Sequence, residues 1–337
     1  MATLFDRERN KRAQAKKDKK SSKSGDWLDE EAPIAYEVGV LAAIHSKRFE
    51  VMKDDELFSA TLDKELCLQE EQDFAVGDRV FFQKDENGTA TVLGREKRTS
   101  VVMRSRADWS RSNHVLEDHV LSANVDIGII TVSVKDPDFH PRFIDRYLAL
   151  LQLGEVAPLI CLTKTDLSDI QPEILAFYEQ IQIPILKTSS VNATGIEELK
   201  AALRGKTAVF LGQSGVGKSS LLNALIPEAQ ATTGELNQKT GKGKHTTTGS
   251  SLLKWDTNSY IIDTPGIRSI GLEQIPKKEI QFLFPEFEAL GTACRFSDCI
   301  HVSEPGCAIK SALELQDPAI NKYRYGSYLK LIEEAQP

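Results

Sequence analysis

Three stretches of this chain carry residue types at spacings that suit nucleotide chemistry. Gly212-Gln213-Ser214-Gly215-Val216-Gly217-Lys218-Ser219 fits G-x-x-x-x-G-K-[ST], a loop whose backbone N–H groups close around phosphates. In such a loop Lys218 reaches the β- and γ-phosphates, the Ser219 hydroxyl holds Mg²⁺, and Ser220 opens the helix whose N-terminus favours the anion. Asp263-Thr264-Pro265-Gly266 fits D-x-x-G, with Asp263 on the Mg²⁺ side and Gly266 sensing the γ-phosphate. Thr163-Lys164-Thr165-Asp166 fits [NT]-K-x-D, which reads guanine. The Asp166 carboxylate can accept from guanine N1–H and N2–H₂, a donor pair adenine lacks, and a buried acceptor left unpaired by the wrong base costs binding. A lone T-K-x-D is usually a turn, whereas the P-loop fixes enough positions to indicate a nucleotide by itself. Together they specify GTP/GDP and disfavour a P-loop kinase or ATPase.

A fourth constellation is Cys294-x₄-Cys299-x-His301-x₅-Cys307. Three thiolates and an imidazole suit tetrahedral Zn²⁺, one per chain, and four protein ligands close the shell, so such a site is structural. Cys67 and Cys161 lie in apolar surroundings and read as core residues.

The nucleotide chemistry demands that each motif end a strand. Apolar runs at Pro158–Leu162, Thr207–Leu211 and Tyr260–Ile262 precede the three motifs. Val125–Val134, broken only by Gly128, reads as a further strand, and Phe143–Leu153 has helical spacing with Phe143, Tyr147, Leu150 and Leu151 on one face. Helices are also expected from Ser220 and from Gly195, so strands and helices alternate as a parallel α/β sheet requires. The order is unusual. The guanine motif, and Thr188-Ser189-Ser190, which suits the loop facing guanine O6, precede the P-loop. The simplest account is a circularly permuted GTPase domain at 121–272, permutation being tolerable where termini lie close together at the surface. Between P-loop helix and D-x-x-G lies a switch, Thr232–Lys244, followed by His245, Thr246 and Thr247. Thr247 is favoured over Thr246 as the Mg²⁺ and γ-phosphate contact, by analogy with the T-T pairs of related GTPases. A neutral His245 beside it can accept a proton from water.

The flanks complete the plan. Residues 1–35 open with a basic segment poor in apolar residues, expected to be disordered, and read either as an electrostatic arm for RNA phosphates or as a solvated tail. Residues 36–106 look all-β, with a hairpin turn at Asp85-Glu86-Asn87-Gly88, and suit a small barrel. Acidic residues there, including Asp54 and Asp55, leave open a purely structural or protein-contacting barrel, and Lys97-Arg98 with Arg104-Ser105-Arg106 forms a basic exit strip. Residues 273–337 read as helices, Lys277–Leu290 and Ile309–Ile332, around the Cys/His cluster. The formal charge of −7 over 337 residues argues against a uniformly basic nucleic-acid surface. No apolar run is long enough to span a membrane, no signal peptide is evident, and the clustered cysteines suit a reducing cytoplasm.

The permuted motif order, Gly243-Lys244-His245-Thr246-Thr247-Thr248 in the switch and the following Cys/His cluster resemble the ribosome small-subunit-dependent GTPase A family, RsgA or YjeQ, over about residues 36 to 335. The resemblance implies an OB barrel, a permuted GTPase domain and a zinc-binding end. It further implies late maturation of the small ribosomal subunit, a GTPase stimulated by that subunit, and a histidine in the switch; the subunit and its rRNA are the expected partners. The chain is expected to act as a monomer. Two positions depart from common GTPase patterns. Thr163 stands where asparagine is usual, which offers fewer hydrogen bonds to hold the loop. Ile267 stands where many GTPases place a water-orienting glutamine, although members of the resembled family also carry apolar residues there. The missing glutamine keeps a second reading open, an RNA- or protein-binding module that uses GTP as a structural ligand.

Overall fold

A computed structural model describes residues 36–45, 48–63, 74–85, 88–107, 116–168, 172–226, 250–263, 272 and 274–335. The basic N-terminal segment, Cys67, His245, Thr246, Thr247, Gly266 and Ile267 lie outside the described residues.

The first strands are β1 (Glu37–His45), β2 (Arg48–Lys53), β3 (Glu56–Leu62), β4 (Arg79–Lys84) and β5 (Ala90–Arg95). They run in the order β1-β2-β3-β5-β4, and a β1–β4 pairing closes the barrel. Alternate positions point inward, so Leu41, Val51, Val80, Phe82 and Val92 form its core. Asp54 and Asp55, at φ 48° and 69°, form a two-residue left-handed turn between β2 and β3, the geometry that matches strand twist. At the expected second hairpin, the Thr89 N–H donates to the Asp85 carboxylate at 2.8 Å.

A ribbon of β6 (Val101–Ala107) and β7 (Leu116–Ala123) follows, where the sequence suggests only a basic exit strip. Arg98 is not a free surface cation. Its guanidinium is bidentate to the fully buried Asp78 carboxylate, at 2.7 and 2.8 Å, beside the barrel's own turn.

The α/β layer comprises β8 (Ile127–Ser133), α1 (Pro141–Leu153), β9 (Ala157–Thr163), α2 (Ile174–Gln180), β10 (Ile185–Lys187), α3 (Ile196–Leu203), β11 (Thr207–Leu211), α4 (Lys218–Leu225), β12 (Ser251–Asp256) and β13 (Ser259–Asp263). Strands β10-β9-β8-β11-β13 are parallel and β12 is antiparallel beside β13. Every residue of β8 is buried, as expected for a strand covered on both faces. Gly128 interrupts that apolar run because α1 packs there: a Cβ would lie 2.3 Å from a Leu151 methyl. Cys161 is core, as its surroundings suggested, and burial pushes its thiol up to about 12.

Strand β12 also pairs with β1 of the barrel, Ala43 opposite Ser251, so barrel and α/β layer share one eleven-stranded sheet. Further hydrogen bonds hold the barrel turn at Gly77 and tie it to the end of β7. Gly77 donates to the Leu41 carbonyl, Ala123 donates to Val76, and the Asn124 amide donates to the Gly77 carbonyl, each at 2.9 Å. Gly77 sits at φ +93°, and a Cβ there would lie 2.1 Å from the Ala123 carbonyl oxygen. Gly77→Ala is therefore expected to destabilise the protein by about 1–3 kcal/mol from backbone strain alone, with the clash added. A thermal unfolding midpoint equal to wild type would contradict this.

The C-terminal part holds α5 (Lys277–Ile280) running into a 3₁₀ turn at Gln281–Leu283, then α6 (Glu286–Gly291), α7 (Ala308–Glu314) and α8 (Lys322–Glu334). Both long helices expected here are broken. Phe284 precedes Pro285 and turns extended, at φ −121° and ψ 85°, because proline excludes the helical conformation from the residue before it. The second breaks around Pro318, and Asn321 starts α8 by accepting from the Tyr323 and Arg324 N–H groups. Arg324 turns inward, with a side chain only 2 % exposed, and meets Asp145 of α1 at 2.9 Å and Glu286 of α6 at 2.6 Å. Tyr178 of α2 donates to the same Asp145 carboxylate. Among the described residues no helix is long and apolar enough to cross a membrane.

Candidate functional site

The loop between β11 and α4 folds as its glycines require. Gly212, Gly215 and Gly217 have φ of +145°, +82° and +100°, conformations that L side chains rarely adopt. At Gly212 space forbids a side chain as well, since a Cβ would meet the Thr131 carbonyl oxygen of β8 at 2.4 Å. Ser219 and Ser220 lie exposed in the first turn of α4, as metal and phosphate binding need. The Lys218 ammonium folds back over the loop, donating to the Gly212 carbonyl at 2.7 Å and the Gln213 carbonyl at 2.5 Å. Asp263, at the end of β13, faces it. Burial lowers the Lys218 pKa and raises that of Asp263, and each charge partly offsets the other's shift. Helix α1 reaches the same loop through Tyr147, which lines a small cavity together with Gly212 and Gln213.

The guanine motif lies alongside. Thr163 ends β9 and is buried. Its hydroxyl is 2.5 Å from the Val216 carbonyl of the P-loop and 3.1 Å from the Val132 carbonyl of β8. The threonine in the asparagine position thus ties the guanine strand to the phosphate loop, and the loop is anchored despite the departure. Lys164, left-handed at φ 56°, donates to the Asp136 carbonyl. Ser189 donates to the Asp166 carboxylate at 2.5 Å, which orients that side chain at the exposed end of the strand. The Thr165 hydroxyl donates to the Thr188 carbonyl at 3.1 Å, and Ser190 is exposed next to the buried Ser189. Two loops far apart in sequence, Thr163–Asp166 and Thr188–Ser190, therefore form one wall beside the P-loop.

The four Cys/His side chains also assemble. The ligating atoms of Cys294, Cys299, His301 and Cys307 all lie within 4.8 Å of one another. His301 Nδ1 is 3.5 Å from the Cys294 sulfur and 3.4 Å from those of Cys299 and Cys307. The S···N edge of a tetrahedral zinc site is about 3.5 Å, from Zn–S of about 2.3 Å and Zn–N of about 2.0 Å. The donor set and its spacing fit a structural zinc ion. His301 adopts φ 58°, and Tyr325 and Tyr328 hold the knuckle by donating to the His301 and Ile300 carbonyls.

A P-loop, the aspartate of D-x-x-G and the T-K-x-D wall on a parallel sheet, with the wall preceding the loop in the chain, have the arrangement of a circularly permuted P-loop GTPase. The profile of the RsgA GTPase family matches residues 95–273. The chain belongs to the RsgA GTPase family. It is 38% identical over 266 residues to the small ribosomal subunit biogenesis GTPase RsgA of Chlorobaculum tepidum, covering 77% of this chain and 84% of that one. It is 35% identical to the same-named protein of Bacteroides fragilis, covering 78% and 84%. Among solved structures it is similar to YjeQ from Thermotoga maritima, with a TM-score of 0.70 and 32% identity over 89% of this chain and 98% of that one. It is also similar to YloQ, a circularly permuted GTPase, with a TM-score of 0.67 and 25% identity over 92% and 99%.

Proposed function

We propose that this GTPase is an assembly factor of the small ribosomal subunit, hydrolysing GTP in response to that subunit and contacting its rRNA. The observation that carries the reading is the Thr163–Val216 contact, which sets a guanine-reading wall directly against a phosphate loop. Relatives at 35% to 38% identity named for small-subunit biogenesis supply the partner.

In this reading the P-loop residues Gly212 to Ser220 bind the phosphates and Lys218 steadies their charge. Thr163, Lys164, Asp166, Ser189 and Ser190 hold the base. Ser219 and Thr247 would hold Mg²⁺, which neutralises charge on the β- and γ-oxygens when bound. Asp263 and Gly266 complete the γ-phosphate side. Cys294, Cys299, His301 and Cys307 would hold zinc, which fixes the C-terminal helices. The domains are taken as 36–106, 121–272 and 273–337, acting in a monomeric cytoplasmic protein, with residues 1–35 offering phosphate contacts. His245 takes the place of the missing glutamine and accepts the proton of the attacking water.

The test is single-turnover release of phosphate from GTP with and without purified small subunits. Hydrolysis should be slow alone and accelerate on the subunit. His245→Ala should bind GTP and subunit as wild type does yet lose most of the stimulated rate. Negligible turnover in both conditions would favour GTP as a structural ligand, and a variant hydrolysing at the wild-type rate would remove His245 from catalysis.

A further inference from the structure

With Nδ1 turned toward three sulfurs, His301 has one ring nitrogen left. That atom, Nε2, lies 2.9 Å from Oε1 of Gln281, twenty residues earlier in the chain. The orientation of the Gln281 amide follows from its other contact: its nitrogen donates to the Lys278 carbonyl at 2.9 Å. A flipped amide would set its oxygen against that carbonyl, so the oxygen faces the ring. An amide oxygen only accepts. Nε2 must then carry the hydrogen, and Nδ1 must offer its lone pair to the cluster. The ring has little freedom to do otherwise, because His301 is 2 % exposed and Phe287 packs edge-on against it at 5.8 Å between centroids.

We propose that Gln281 is a positioning residue for the metal ion, holding the His301 imidazole in the tautomer and orientation that complete a Cys₃His site. The inference rests on reading the four side chains as a zinc centre. Partners of this kind fix the ligand ring and raise its basicity, and losing one weakens metal binding about 10–100-fold. Gln281 lies in the 3₁₀ turn that leads from α5 to Phe284, in the stretch joining D-x-x-G to the cysteines. The bond therefore fastens the connector between GTPase domain and metal centre to the centre itself.

The experiment equilibrates full-length wild type, Gln281→Leu and Gln281→Glu with zinc and a chromophoric chelator of known affinity. The ring nitrogens of ¹⁵N-histidine-labelled, zinc-loaded wild type are observed in parallel by NMR. Gln281→Leu, which keeps the bulk and loses the acceptor, should give up zinc about 10–100-fold more readily. Gln281→Glu, which keeps an acceptor, should retain wild-type affinity or exceed it. The His301 spectrum should show a metal-bound Nδ1 and a protonated Nε2. A Leu variant with wild-type affinity, a Glu variant as weak as the Leu variant, or an Nε2-bound metal would each overturn the assignment. If Gln281→Leu does not fold, the wild-type spectrum and the Glu variant decide the matter. Wild-type protein that neither contains nor takes up zinc would instead sink the metal-centre reading, a result separable from failure of Gln281 alone.

Discussion

Asp166→Asn is expected to exchange guanine for xanthine nucleotides. The wild-type carboxylate has one oxygen fixed by the Ser189 hydroxyl at 2.5 Å, so the group is already aimed when the base arrives. Guanine presents N1–H and N2–H₂ to it, and both need acceptors. An asparagine keeps one acceptor, which Ser189 can still address, and sets an NH₂ where the second acceptor stood. Xanthine carries a carbonyl at C2 in place of the amino group and accepts that new donor. Sites built to hydrogen-bond a specific group reject the mismatched ligand by about 10⁴–10⁵-fold, because a polar atom is left unpaired. The preference for GTP over XTP should fall by that order in the variant. Competitive titration of both nucleotides against both proteins measures it, and an unchanged preference for GTP would remove Asp166 from the base site.

The second large effect is on stability. Arg324→Leu leaves Asp145, fully buried, and Glu286, 3 % exposed at its side chain, without their shared cation. In the wild type burial pushes the Asp145 pKa up, and Arg324, Ser327 and Tyr178 pull against that. Burial also disfavours the Arg324 charge, but Glu286 and Asp145 more than offset it and its pKa is raised. Removing one partner from such a set costs about 3–5 kcal/mol, mostly as stranded charge. The sign of the pH dependence follows. Without the cation, the folded-state pKa of Asp145 rises further above its unfolded value. Its carboxyl then costs nothing below the unfolded pKa, and stability is lost as pH rises through the folded one. The deficit of Arg324→Leu should thus be greatest at neutral pH and shrink on acidification. Replacing all three, as Arg324→Met with Asp145→Leu and Glu286→Leu, should recover much of the loss, since apolar groups of similar volume need no counter-charge. Denaturant unfolding over a pH series checks both. A single variant as stable as wild type at neutral pH would show that the network is dispensable.

What could be read from residues alone divides along a physical line. The P-loop, the guanine motif and the Cys/His cluster were legible because their chemistry needs particular residues at short spacings. The strands before them were legible because β8, β9, β11 and β13 are buried on both faces and read as apolar runs. The breaks at Phe284-Pro285 and near Pro318 were signalled by the prolines themselves, yet an apolar spacing that continues across each break suggested unbroken helices. The β6–β7 ribbon carries no such run, and a single strand of a ribbon is specified mainly by its partner. Arg324 lies in Lys322-Tyr323-Arg324-Tyr325, a string that looks solvated, and its partner Asp145 is 179 residues away. Nothing local marks Gln281 either, because what selects it is an imidazole brought to it by folding.

The pairing of Ala43 with Ser251 joins the barrel to the hairpin whose second strand ends at Asp263. Ser251 faces Ala43 on one side and Asp263 on the other, so a single rung of the sheet runs from barrel to D-x-x-G. The switch sequence enters the β12–β13 hairpin just before that rung and D-x-x-G leaves just after it. A displacement of that hairpin would reach the barrel through this rung. If binding at the barrel alters nucleotide affinity, equilibrium linkage requires that nucleotide alter binding at the barrel by the same factor. The permuted order places this hairpin between the barrel that precedes the sheet and the Cys/His-bearing helices that follow it.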